Sequence, residues 1–186
     1  MTNSVTAKRR FIAPNYNRPM SSIEHKAVAP PRVRVFVLTV SDTRTDDSDT
    51  SGLAICALLK DAGHQVAGKA IEKDEPRHVA ELVRQQAVIG DVDAIITTGG
   101  TGLTSRDSTF EAIDALLTKR LPGFGELFRM LSYEEIGSAA MMSRACAGTI
   151  GKVVVISLPG SEAAVRLAMT KLVIPELAHL VQQATN

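Results

Sequence analysis

Between Gly99 and Thr109 the chain reads GGTGLTSRDST, with three glycines, five hydroxyl residues, an arginine and an aspartate. A connection that only had to turn could do so with a single glycine and a couple of polar residues. Glycine lets backbone amides come close to a phosphate, and an arginine such as Arg106 can grip phosphate oxygens through paired hydrogen bonds. A carboxylate such as Asp107 can hold a hard cation. Together they suit a metal-bound nucleotide. Two familiar phosphate loops are excluded: no lysine follows the glycines as a P-loop requires, and GTGLTS lacks the third glycine of the dinucleotide fingerprint.

The elements around this loop are legible in the hydrophobic pattern. VRVFVLTV, Val33 to Val40, is a nearly continuous β-branched run suited to a parallel strand covered on both faces. A polar loop, SDTRTDDSDTSG, leads into a helix carrying Leu53, Ala57 and Leu58, which Gly63 stops. A weaker strand around His64 to Ile71 precedes Asp74, Glu75 and Pro76, which suit a helix first turn continued by Val79, Leu82 and Val83. VDAIITT, Val92 to Thr98, is the strand from which the glycine loop leaves. Ser108-Thr109-Phe110-Glu111 has capping-box spacing and predicts a helix that turns Ile113, Leu116 and Leu117 inward. KVVVISL, Lys152 to Leu158, is a fourth strong strand, followed by PGSE and a helix with Val165, Leu167 and Ala168. Strands alternating with helices predict an α/β protein whose mostly parallel sheet is covered by helices on both faces.

In such sheets ligands settle beyond the carboxyl ends of the strands, where strand order reverses. Three loops, after Val40, Thr98 and Leu158, leave strand C-termini and lead into helices whose first amides are donors with partial positive charge. If their strands are neighbours, the loops converge on one crevice suited to an anion.

Composition sets the frame. The chain has 186 residues, 45% of them hydrophobic, enough for one substantial core. A flexible arm, residues 1–31, is rich in proline, asparagine and basic residues, with Phe11, Ile12 and Tyr16 as possible contacts to a neighbouring subunit; one domain spans residues 32–186. A net charge of +1 gives no electrostatic footprint for nucleic acid or an anionic membrane. The N-terminus has no apolar signal core, which predicts a cytoplasmic protein. Cys56 and Cys146 lie among apolar neighbours without CxxC spacing and read as reduced thiols. His25, His64, His78 and His179 share no motif.

TTGGTG, then SRDST, then LPGFGELFRMLSYEEIGSAAMMSRACAGT, then SLPGS resemble the MoaB/MogA family of molybdenum cofactor biosynthesis proteins, closest to the MoaB branch. The resemblance runs from about Val33 to the C-terminal helix. It implies a three-layer α/β/α, Rossmann-like fold that binds molybdopterin. For active members it implies transfer of an adenylyl group from Mg-ATP to the terminal phosphate of molybdopterin. Mg²⁺ and ATP are thus the implied cofactors, a homo-oligomer (trimer or hexamer) the implied assembly, and the enzyme that later inserts molybdate a further partner. Carried over position by position, the family pattern marks Asp49, Ser51 and Gly52 in the first loop and Asp74 ahead of the next helix. In the central loop it marks Thr98, Gly99, Gly100, Thr101 and Gly102 with Arg106, Asp107 and Ser108. Ser143 and Arg144 follow downstream, then Pro159, Gly160 and Ser161. Asp74 and Asp107 are the implied pair of catalytic, metal-holding carboxylates.

The last loop reads PGSE where many relatives have PGNP or PGQP. The central loop keeps the SRDST that catalytically silent MoaB proteins have lost, which favours activity over a non-catalytic, molybdopterin-holding scaffold. Asp42, Asp46 and Asp47 read as solvated charges, and Asp49 equally as a helix N-cap. Glu126, beside two glycines, is a further candidate for ligand contact. Phe124, Leu127, Phe128 and Leu131 give an apolar stripe beyond what one core face needs, suited to subunit contact.

Overall fold

A computed structural model describes residues 30–104 and 108–186. The expected arm therefore lies outside the described residues up to position 29, as do Ser105, Arg106 and Asp107.

Four strands run parallel: β1 (Arg34–Val40), β2 (Gln65–Glu72), β3 (Ala94–Gly99) and β6 (Val153–Leu158), with β2 at one edge of the sheet. Helix α1 (Thr50–Asp61) joins β1 to β2, and α2 (Pro76–Ile89) joins β2 to β3. Sheet order is β2-β1-β3-β6-β5-β4, with strand order reversing between β1 and β3. β1, β3 and β6 are neighbours, so the condition for their loops to converge is met.

The pattern of apolar runs misses the other edge. β4 (Lys119–Arg120) and β5 (Cys146–Ile150) pair antiparallel with each other, and β5 pairs antiparallel with β6. CAGTI is short and rich in small residues, and KR is charged, so neither resembles the β-branched runs of the central strands. Between them lie α4 (Pro122–Ile136) and a 3₁₀ segment, Gly137–Met142.

Successive side chains point to opposite faces, and both faces are covered. Val35, Val37, Ile96 and Ile156 pack against α1, α4, α5 (Glu162–Ala168) and α6 (Ile174–Thr185). Phe36, Leu38, Ile95 and Val155 pack against α2 and α3 (Thr109–Leu116). The result is the expected three-layer α/β/α arrangement.

Helix ends follow local chemistry. Gly63, at φ +82°, ends α1, and Pro76 opens α2. Leu53 is exposed, however; α1 buries Ala54, Ile55 and Leu59 instead. Helix α3 begins at Thr109 as expected, yet the capping box does not form. Ser108 makes no side-chain cap bond, and the Glu111 carboxylate is drawn to Arg144. Cys56 is buried and Cys146 half-buried, and both are free thiols. Burial, helped by Asp114, pushes the Cys146 thiol up to about 12, which keeps it protonated at neutral pH.

Ile96 is fully buried in the middle of β3. Ile96→Ala should lower stability by about 3 kcal/mol in urea denaturation. Val88→Ala, on a side chain 78% exposed, should stay within about 0.5 kcal/mol.

Candidate functional site

Where β1 and β3 end side by side, the backbones come so close that only glycine fits. Gly99 sits at φ +93°, and a Cβ there would stand 2.1 Å from the Val40 carbonyl oxygen. Gly100, at φ +64°, has the side chains of Thr109 and Val40 about 3 Å from where its Cβ would be. The loop after β6 packs on the same spot: a Cβ on Gly160 would meet the Gly99 Cα at 3.3 Å. The Thr98 hydroxyl donates to the Pro159 carbonyl at 2.8 Å. The glycines therefore let two loops nest together over the strand ends.

The residue that ties this nest to the next loop is Thr109. It is fully buried, and its hydroxyl donates to Asp74 Oδ1 at 2.6 Å. Asp74 is half-exposed ahead of α2, and its backbone amide donates to Asp42 Oδ1 at 3.2 Å. The carboxylate of Asp74 is thus brought to the edge of the glycine loop, with Oδ2 making no hydrogen bond among the described residues. Asp42, read as a solvated charge, helps fix this turn.

Arg144 closes the loop from the opposite side. Its Nε donates to the Thr101 carbonyl at 2.9 Å, and its Nη2 to the Gly102 carbonyl. Its Nη1 pairs with Glu111, and the guanidinium lies 4.7 Å from the Phe110 ring centre. Arg144 holds the shape of the loop. Ser143 is half-buried beside it.

In the first loop, Asp49, Ser51 and Gly52 are all buried. Asp49 caps α1: Oδ1 accepts from the Gly52 amide at 2.9 Å, and Oδ2 accepts from the Thr39 hydroxyl at 2.8 Å and pairs with Lys69 at 2.9 Å. A Cβ on Gly52 would lie 2.2 Å from Oδ2, so glycine is what lets this carboxylate tuck in. Ser161 likewise caps α5, its hydroxyl accepting from the Ala164 amide at 3.2 Å. The amides at both helix ends are thus partly occupied by the chain's own side chains, while α3 has no such side-chain cap.

Burial pushes the Asp49 carboxyl up, but hydrogen bonds from Lys69, the Gly52 amide and Thr39 outweigh it and hold the group below the ordinary carboxylate value. Burial depresses the Lys69 ammonium, and its bonds to Asp49 and Asp46 outweigh that in turn.

Glu126 faces elsewhere. It is exposed and lines a cleft of about 220 Å³ with Asp114, Arg120, Arg129 and Cys146. Among the described residues, then, the fold gathers Asp74, Thr98 to Gly102, Arg144 and Pro159–Gly160 around one crevice, and turns Asp49 and Ser51 inward. Thr109 was missed because its capping-box position suggested a purely local role. Its place in line with the glycine loop and Asp74 depends on β2 and β3 flanking β1.

The glycine nest lies beyond the carboxyl ends of the strands, at the point where strand order reverses, which is where doubly wound α/β domains hold their ligands. Residues 36–179 match the family model described as "Probable molybdopterin binding domain". The molybdenum cofactor biosynthesis protein B of Bacillus cereus is 54% identical over 162 residues, covering 87% of this chain and 96% of that protein. A crystal structure of a molybdenum cofactor biosynthesis protein B, 52% identical, has a TM-score of 0.82 and covers 84% of this chain and 98% of its own. The tungsten cofactor synthesizing protein MoaB from Pyrococcus furiosus, 38% identical, has a TM-score of 0.75, with 85% and 100% covered. The chain belongs to the MoaB/MogA family of molybdenum cofactor biosynthesis proteins.

Asp49→Ala removes a helix cap and leaves Lys69 with only the exposed Asp46 as partner, at an expected cost of about 3 kcal/mol near neutral pH. Because the folded-state pKa is depressed, this contribution is complete above the unfolded value near pH ~4 and fades as pH falls through the lower folded value. Denaturation curves of the two proteins should therefore converge below about pH 4.

Proposed function

We propose that the protein binds molybdopterin and Mg-ATP in the crevice above β1, β3 and β6 and transfers the adenylyl group to the terminal phosphate of molybdopterin. The observation that supports this reading most directly is the hydrogen bond from Thr109 to Asp74, which sets a carboxylate beside a loop whose glycines open it to phosphate.

In the proposed reaction an oxygen of the molybdopterin phosphate attacks the α-phosphorus of ATP. A new P–O bond forms as the bond to the β-phosphate oxygen breaks, and pyrophosphate leaves with the electron pair. The nucleophile belongs to the substrate, so no Ser-His or Cys-His pair is needed, and positioning with charge neutralisation supplies the catalysis. When bound, Mg²⁺ would neutralise charge on the reacting phosphates. Asp74 offers a hard oxygen to such an ion, in a donor set suited to a cation that arrives with phosphate oxygens and water. Asp107, outside the described residues, is proposed as its second carboxylate, with Arg106 and Ser108 beside it. The backbone of Gly99 to Gly102 takes phosphate, Arg144 maintains that backbone, and Pro159 to Ser161 and Ser143 border the ligand. Asp49, Ser51 and Gly52 support the crevice from below by fixing the start of α1, and Glu126 reaches a ligand that extends toward its own cleft.

Assembly is proposed to be a homo-oligomer, a trimer or a hexamer, working in the cytosol. Of the stripe expected from the sequence, Phe128 is fully buried and Phe124 and Leu131 pack partly buried against the core, so only Leu127 stays exposed. With Met130, Tyr133, Ile136, Met141 and Met142 it still leaves more apolar surface along α4 and the 3₁₀ segment than a single chain needs to leave in water. No helix among the described residues is long and apolar enough to cross a membrane. Light scattering at micromolar concentration should give a multiple of the chain mass, and a monomer would sink the assembly.

The decisive assay incubates the protein with molybdopterin, ATP and Mg²⁺ and looks for adenylylated product and pyrophosphate. Asp107→Asn should fold normally and lose at least ~100-fold in turnover, about 2.7 kcal/mol of transition-state stabilisation. A wild type without product, complementing cells equally well with or without the substitution, would make the protein a molybdopterin-holding scaffold instead.

A further inference from the structure

We infer that Thr109 is a positioning residue that sets the metal-holding carboxylate and the phosphate loop in one fixed relation, an inference that rests on the proposed Mg-ATP reading. Its side chain has two ends with two tasks. The hydroxyl donates to Asp74 Oδ1 at 2.6 Å. The carbon end packs on the loop, with Cβ and Cγ2 at 2.9 and 3.0 Å from where a Cβ on Gly100 would be. The next amide, Phe110 N–H, donates to the Gly100 carbonyl at 3.1 Å. One fully buried residue at the start of α3 thereby touches both halves of the crevice.

The chemistry gives this contact direction. A hydroxyl donor on Oδ1 fixes the plane of the carboxylate and leaves Oδ2 as the oxygen turned to a cation. Without the donor the carboxylate can rotate about its Cβ–Cγ bond, and its place ahead of α2 no longer selects one oxygen. Donors of this kind, one bond behind a metal ligand, commonly govern affinity by about 10–100-fold. Packing against Gly100 acts on the other half: it keeps the loop from sliding away from α3 and so keeps its amides aimed where phosphate would lie.

The two tasks can be separated because two conservative substitutions each remove one. Thr109→Val keeps the methyl contacts and deletes the hydroxyl. Thr109→Ser keeps the hydroxyl and deletes the methyl. The measurement is calorimetric titration of the full-length protein with ATP across a series of Mg²⁺ concentrations, with EDTA as the metal-free reference and melting curves to check folding. Thr109→Val should shift the Mg²⁺ concentration for half-maximal ATP binding upward by about tenfold, with the residual metal-free affinity unchanged. Thr109→Ser should leave that midpoint within about twofold of wild type. A double-mutant cycle covers any general loss of stability. With Asp74→Ala already present, Thr109→Val should move the midpoint no further, because its effect passes through Asp74.

Additive effects of Thr109→Val and Asp74→Ala would overturn the inference, as would a Thr109→Val midpoint equal to wild type while Asp74→Ala alone is shifted. Wild-type affinity that is the same in Mg²⁺ and EDTA would defeat the Mg-ATP reading itself, and this inference with it.

Discussion

Parallel pairing of β1 with β3 is the constraint from which the site follows. The two strands run in register from Val35 opposite Ala94 to Val40 opposite Gly99, and they end together. At that end a Cβ on Gly99 would collide with the Val40 carbonyl, so the chain must leave β3 through a glycine with positive φ. Everything above the sheet inherits this geometry. Gly100 then has room to lie against Thr109, the loop after β6 can fold over Gly99, and the turn before α2 comes close enough for Asp74 to be held. The crevice results from how a twisted parallel sheet ends, and the loop residues elaborate it.

A second constraint lies beneath the first. Asp49 is buried with both oxygens occupied, and its charge is compensated by Lys69 reaching across from β2. This pair fixes the start of α1 against the edge of the sheet, which keeps the first loop from collapsing into the crevice. The division of labour among carboxylates is therefore set by exposure. Asp49 is buried with both oxygens taken by the chain's own groups, whereas Asp74 is half-exposed with Oδ1 accepting from Thr109.

The central architecture was readable because its strands are long, β-branched and continuous, a pattern dictated by burial on both faces, and because Pro76 and Gly63 bracket helices through backbone chemistry alone. The antiparallel edge was not readable. Gly148 of β5 is small because β4 and Leu117 crowd it, with a Cβ there standing 2.2 Å from the Lys119 carbonyl oxygen and 3.0 Å from the Leu117 side chain, and such crowding is a tertiary fact with no local period. The site shows the same split. The glycine loop and Asp74 stood out by residue type. The part of Arg144 in shaping the loop, and the failure of Ser108 and Glu111 to cap α3, depend on contacts between residues more than thirty positions apart, where a long-range ion pair wins over a short-range cap.

The reversed direction of β5 has a consequence for how this fold can change. In a sheet of parallel strands only segments that follow a strand can reach the ligand end. Because β5 runs the other way, Cys146 lies opposite Ser157 at that end, and Arg144, two residues ahead of the strand, reaches the glycine loop from the far side. The glycine loop is thus held by a segment whose reach is set by the 3₁₀ turn at Gly137–Met142. Insertions or deletions in that turn would move Arg144 relative to the Thr101 and Gly102 carbonyls it holds, reshaping that side of the crevice without touching the sheet.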